Sequence, residues 1–287
     1  MKVHITGGKG FLGGYAADAL SDHEVEISDV DTLDICDFDA VVAKMATSKP
    51  DVVLHLAGLT GANPSLKDPH RFFEVGTTGT LHVLEACRRA GVESFVFLSS
   101  LTVHGQTPKG EVVTERSPLA PRHPYAGAKA AAEAIVETYG RCYDLRCAIL
   151  RPTLIAGEGQ KEPNAITEFA DTVARGESIE LFGDGSHKRE WLHPSDVGTA
   201  MRAAVEYVAA DKGGPCETFL ISSGAPISMA DLAEKVIAAM GKGQLVFTPS
   251  TRQAFDLCTD STRARTELGW QPALDVDAII QRVLAMR

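Results

Sequence analysis

The chain has 287 residues, 44% of them hydrophobic and 23% charged, an ordinary globular composition with room for a sizeable core, as one large domain or one domain with a smaller cap. Its formal charge of -10 is offset by no basic stripe, which argues against a nucleic-acid partner and leaves small ligands open. The longest apolar runs are far too short to cross a bilayer, a strand at the very start leaves no room for a signal peptide, and the six cysteines form no CxxC pair. A cytoplasmic protein is expected, with reduced core cysteines and neither a disulfide framework nor a metal site.

The first readable element is an apolar run from Val3 that predicts a strand. Gly7, Gly10 and Gly13 follow, and apolar residues at helical spacing over 11–20 predict a helix. This order has a physical use. Gly7 permits a tight turn, Gly10 lets backbone approach a ligand, and Gly13 lets the helix pack closely on its strand. The helix start, at Phe11 and Leu12, then presents free N–H groups to a diphosphate. Asp29 follows a second strand pattern, residues 25–28, where a carboxylate can accept hydrogen bonds from an adenosine ribose. That carboxylate would repel a 2'-phosphate, and residues 24–34 contain no Arg or Lys, so NAD is expected over NADP.

Beyond Asp29 comes a short acidic connection and then a helix over 38–47, ended by Pro50. Residues 52–58 are an apolar strand running into a loop of small residues where a flat ligand can lie. His55 in that strand is read as a satisfied core residue without chemistry. Residues 68–90 form a long helix pattern stopped by Gly91. The strand Phe95-Val96-Phe97-Leu98 ends in Ser99-Ser100-Leu101-Thr102, hydroxyls at the carboxyl end of a sheet, where open α/β sheets put their ligands. Those serines could equally be turn formers or helix caps. Residues 105–124 read as a surface loop. Tyr125 and Lys129 then share one face of an alanine-rich helix, where the ammonium would pull the phenol down toward neutrality and make it a usable base. Strand and helix patterns alternate throughout, as in a parallel sheet with helices on both faces.

Taken together, these stretches resemble the extended branch of the short-chain dehydrogenase/reductases, the NAD-dependent epimerase/dehydratase family. The landmarks are Thr6-Gly7-Gly8-Lys9-Gly10-Phe11-Leu12-Gly13, Asp34-Ile35, His55-Leu56-Ala57-Gly58, Ser99 to Gly105, Tyr125 with Lys129, and Arg151-Pro152. Further on come Gly183-Asp184-Gly185-Ser186, the run Arg189 to Val197, and Leu268-Gly269-Trp270-Gln271-Pro272. The resemblance implies an α/β fold, a Rossmann-type doubly wound parallel sheet with a smaller C-terminal substrate-capping domain. The NAD-binding part would hold residues 1–155 with 187–210, and the cap 156–186 with 211–287, where Ser228 and Asp275 read as helix starts. NAD would be held by Gly7, Gly10, Phe11, Leu12, Asp29, Asp34, Ile35, Leu56, Ala57, Gly58, Tyr125, Lys129 and Pro152. Tyr125 would be the catalytic base or acid, Lys129 would hold the nicotinamide ribose and lower that phenol's pKa, and Ser100 would position the reacting oxygen. The substrate side would comprise Ser100, Thr102, Arg189 and Arg252, the two arginines suiting a diphosphate or else forming an ordinary ion pair. A homodimer through residues 68–90 and 125–143 is also implied.

The chain departs from the family pattern in four places. His104 stands for a usual Tyr, Gly76 for an Asn of the long helix, and Leu154 for an Asn that contacts the substrate diphosphate in sugar-nucleotide members. The Asp-Glu pair of the 4,6-dehydratases is absent, so dehydration is not expected. The expected function is an NAD-dependent epimerase or oxidoreductase of a sugar, preferably a nucleotide sugar. The alternatives are a dehydrogenase of a free sugar, sugar acid or other small carbonyl compound, which Leu154 favours, and a non-catalytic NAD-binding module.

Overall fold

The apolar runs become the strands of one sheet in the computed structural model, which describes residues 1–108, 110–250 and 255–286. The strands are β1 (Lys2–Thr6), β2 (Glu24–Ser28), β3 (Val52–His55), β4 (Ser94–Leu98), β5 (Arg146–Pro152) and β6 (Cys216–Ile221). They lie in the order β6-β5-β4-β3-β1-β2, and every pairing is parallel. The order of strands therefore reverses between β1 and β3, which opens the crevice where sheets of this kind bind ligands. β2 remains an edge because residues 29–37 lead straight into the next helix, too short a link for a further parallel crossover.

β3 and β4 are buried at every position, as expected for strands covered on both faces. Alternate side chains go to opposite layers. Ile5, Leu54, Val96 and Leu150 meet Ala16 of α1 (Phe11–Ala19) and Val197 and Met201 of the later helix Pro194–Ala209. On the other face Val53, Phe95, Phe97 and Ile149 meet α2 (Phe38–Ser48), α3 (Gly79–Ala90) and α4 (Pro124–Tyr143) through Met45, Leu84 and Val136. Each such side chain contributes about 1.5–3 kcal/mol on burial. A third cluster gathers Ile166, Phe169, Leu232, Val236 and Ile280 from the helices Ala165–Ala174, Met229–Met240 and Val276–Ala285. Two of these begin as the sequence predicts, with Ser228 and Asp275 accepting the N–H groups of Asp231 and Ala278.

Four expectations need correction. Residues 216–221, assigned to the cap, are β6 of the main sheet, paired along their length with β5. The pattern over 68–90 is not one regular helix: Pro69–Phe73 passes through a π-turn, Glu74–Thr78, before α3. That turn presses Gly76 and Thr77 onto α4, where a Cβ on Gly76 would sit 3.2 Å from the Ala128 Cβ and Thr77 Oγ1 donates to the Ala128 carbonyl at 3.1 Å. The surface loop over 105–124 contains a short strand, Val112–Val113, paired with Cys258–Thr259. Cys142 is exposed rather than in the core. Among the described residues no helix is long and apolar enough to cross a membrane.

Candidate active site

The carboxyl ends of the strands bring the first group of residues together. Gly7 has φ +72°, and a Cβ there would lie 2.6 Å from the Ala57 backbone, so the glycine turn rests directly on Leu56-Ala57-Gly58 at the end of β3. Gly13 is needed for a closeness other than the expected one: its Cβ would lie 2.2 Å from the Gly8 carbonyl oxygen, so α1 packs on its own turn rather than on the strand. α1 opens at Phe11 and Leu12 with Gly10 as its N-cap and no side-chain cap, leaving first-turn N–H groups for an anion. The Asp29 carboxylate is pinned to the rim of this turn, accepting from the Lys9 and Val30 N–H groups at 2.9 and 2.8 Å. Lys9 Nζ in turn pairs with Asp31. A cation from outside residues 24–34 thus stands beside the acidic rim of the turn. Asp34 accepts from the Cys36 N–H at 2.9 Å, and Ile35 is buried against Gly79. Pro152 closes β5 beside Ile221. A glycine turn over uncapped N–H groups, with a carboxylate at its edge, fits a dinucleotide.

The second group lies a few residues along the same edge. Ser100 Oγ accepts from the Thr102 N–H at 3.3 Å and from Thr102 Oγ1 at 2.9 Å, so it is a turn cap as well as a candidate site residue. It is also near enough to the Tyr125 phenol to act on its pKa. Burial pushes that phenol above its ordinary range, and only Ser100 pulls it down. This corrects the expectation that Lys129 lowers it. Lys129 Nζ instead donates to the Leu98 carbonyl at 2.6 Å, sits 4.6 Å from the Phe97 ring centroid and lies beside Gly58. Burial brings its ammonium down to about 8, against the pull of Glu133.

Behind these side chains runs a buried network that the sequence reading did not single out. Glu133, one turn past Lys129, accepts from Ser99 Oγ and from Arg151 Nε and Nη2 at 3.0 and 2.7 Å. Arg151 Nη1 donates to the Glu115 carbonyl at 3.2 Å and to His104 Nε2 at 3.1 Å. His104 Nδ1 is 3.1 Å from the Pro118 carbonyl, so Nδ1 carries the proton and the ring is neutral; burial and the Arg151 charge both hold its pKa low. The spacing of Tyr125, Lys129 and Glu133 along one helix face was the available signal. His55 behaves as the core residue expected: buried, it bonds to Thr6 and Thr80 hydroxyls at 2.6 and 3.0 Å, and burial brings it down to about 3.

Of the residues expected to meet substrate, Arg189 makes no ion pair among the described residues. Its Nη1 donates to the Lys188 and Phe255 carbonyls at 2.7 and 2.6 Å, and its guanidinium stacks 4.4 Å from the Phe255 ring centroid. Leu154 is paired with Trp191 in strands of two residues each. Arg252 lies outside the described residues.

The fold and this edge define a dinucleotide-binding enzyme of the Rossmann class. The NAD dependent epimerase/dehydratase family model matches residues 3–220, and the chain belongs to that family. It is 32% identical to a UDP-glucose 4-epimerase of Mycolicibacterium smegmatis over 95% of this chain and 94% of the relative. It is 31% identical to a dTDP-glucose 4,6-dehydratase of Streptomyces niveus over 87% of this chain and 73% of the relative. A UDP-glucose 4-epimerase from Stenotrophomonas maltophila, solved with NAD and formylated UDP-arabinopyranose, superposes with a TM-score of 0.89 at 25% identity, covering 99% and 97% of the two chains. The Thermus thermophilus UDP-glucose 4-epimerase in complex with NAD gives 0.85 at 26% identity over 99% and 98%. The chain is thus an NAD-dependent enzyme of the extended short-chain dehydrogenase/reductase type.

Proposed function

We propose that the protein epimerises a nucleotide sugar at Ser100, Tyr125 and Lys129. The observation that carries this reading is the Lys129 Nζ bond to Leu98, the last carbonyl of β4, which sets the helix bearing Tyr125 and Lys129 against the strand end that leads into Ser100. Bound NAD supplies a hydride acceptor that later becomes the donor. Tyr125 takes a proton from the sugar hydroxyl and returns it, and Ser100 holds the reacting oxygen. Lys129 holds the cofactor's ribose. Elimination of water would need an acid and a base beside the sugar, and Leu101, Thr102 and Val103 offer neither, which separates this chain from its dehydratase relatives. Arg189, half-buried and attracted by the Asp256 carboxylate but in no close ion pair among the described residues, suits a diphosphate. Leu154 favours a second reading, dehydrogenation of a free sugar or sugar acid.

The cluster around Ile166, Leu232 and Ile280 supports a cap made of residues 156–186 and the chain beyond β6. Phe73, Leu81 and Tyr143, large and exposed on the segments 68–90 and 125–143, support a homodimer through those helices; light scattering at micromolar concentration tests it, and a monomer removes it. The function is tested by supplying NAD with UDP-glucose, with free sugars and with sugar acids. Epimeric UDP-sugar without accumulating NADH supports the proposal. Stoichiometric NADH from an unphosphorylated sugar, with no epimerisation, supports the second reading instead.

A further inference from the structure

His123 is placed to do two things at the start of the helix that carries Tyr125. Its Nδ1 accepts the Ala126 N–H at 3.2 Å, and its carbonyl accepts the Gly127 N–H at 3.0 Å, so it is the N-cap of α4. Pro124 follows at the first helical position, where its fixed φ stiffens the turn. The His123 ring also lies parallel to the Tyr125 ring, 2° between planes and 5.9 Å between centroids. Phe72 meets Tyr125 edge-on from another direction, at 6.4 Å and 82°. The phenol ring is therefore bracketed by one parallel and one perpendicular ring. Ser, Asp or Asn would cap this helix at least as well, but none of them brings a flat ring.

We propose that His123 is a positioning residue for Tyr125, fixing both the turn from which the phenol projects and the plane of its ring, so that the hydroxyl keeps one orientation at the end of β4. The inference rests on the catalytic reading of Tyr125 given above. Because Nδ1 is the acceptor of the cap, the proton sits on Nε2 and the ring is neutral, a state that burial favours. With the bracket gone, Tyr125 samples ring orientations away from Ser100. Turnover then falls through lost alignment, and the phenol loses the influence of Ser100 that lowers its pKa.

Three variants separate the two roles, with Lys129, Glu133, His104 and Arg151 unchanged in all of them. His123→Asn keeps an acceptor for the Ala126 N–H and removes the ring; His123→Phe keeps the ring and removes the cap; His123→Ala removes both. Each is assayed for thermal midpoint, kcat and KM on UDP-glucose, and for tyrosinate ultraviolet absorbance against pH with Tyr125→Phe subtracted as blank. Asn should keep the thermal midpoint while kcat drops about 10-fold at little change in KM, and the Tyr125 titration should move to higher pH. Phe should melt earlier yet keep kcat closer to the parent's, and Ala should lose on both counts. The proposal is overturned if Asn and Ala both turn over within about twofold of the parent with the Tyr125 titration in place, or if Phe is as slow as Asn. Should Tyr125→Phe itself keep near-parental turnover, the catalytic reading of Tyr125 fails and takes this inference with it; if Tyr125→Phe is inactive while the His123 variants are normal, only the inference fails.

Discussion

Ser100 and Tyr125 project from the ends of β4 and α4, elements anchored in the core, and are backed by a Glu133–Arg151 pair whose side chains are only 1% and 4% exposed. Arg189 and Leu154 sit in strands of two residues and are held by two carbonyls, one stacking contact and one short strand pairing. The first arrangement permits little movement at the reacting atoms. The second can be re-cut by a few substitutions without disturbing the sheet, which is how one scaffold comes to serve several substrates. On the proposed reading, chemistry and selectivity are carried by parts of very different rigidity.

The comparison breaks most visibly at Glu133. Glu133→Ala leaves a guanidinium buried without its carboxylate and should lower the unfolding free energy by about 3–5 kcal/mol, measured by denaturant titration. The exposed Lys235–Asp277 pair should cost no more than about 1 kcal/mol in the same assay, and equal costs would mean that the rigid edge owes nothing to the network. Tyr125→Phe comes next: turnover should fall about 100-fold or more while the NAD dissociation constant barely moves, since the ring is kept and only the proton-transfer group is lost. Near-normal turnover would remove Tyr125 from the mechanism.

On the adaptable side the effects should be smaller and should appear in KM. Arg189→Ala deletes a charged contact worth about 1.5–3 kcal/mol, so KM for UDP-glucose should rise about 10- to 100-fold with kcat much less affected. A drop in kcat at constant KM would instead make Arg189 part of the reaction centre. Leu154→Asn restores one neutral hydrogen bond, about 0.5–1.5 kcal/mol, and should lower that KM by about 2- to 10-fold. If the substrate were a free sugar, the same change would bring no gain on any UDP-sugar.

The same difference in construction governs what could be read in the sequence. β1, β3 and β4 are continuous apolar runs, and the glycine turn and the Tyr125–Lys129 spacing are local, so their positions follow from chain order alone. β6 carries an equally apolar end, Phe219-Leu220-Ile221, yet nothing local says which sheet receives it. That choice is made by pairing with β5, residues far away in the chain. The π-turn at Glu74–Thr78 has no local signal either: it meets Ala128, far along the chain, through a tertiary contact. Lys129 carries its expected position but not its expected effect: its ammonium is engaged by the Leu98 carbonyl and the Phe97 ring, and Ser100 is what lowers the phenol's pKa. The Phe255 contacts of Arg189 and the Glu133 network likewise depend on chain segments distant in sequence.

On the proposed function a hydride leaves a ring carbon of a nucleotide sugar and returns to it within one site. UDP-glucose carrying deuterium on the carbon that bears the reacting hydroxyl tests this directly. With NAD present, the epimeric product should keep its deuterium at the same carbon, no label should pass to water, and no NADH should accumulate. Loss of the deuterium to solvent would show proton abstraction in place of hydride transfer and would contradict the account.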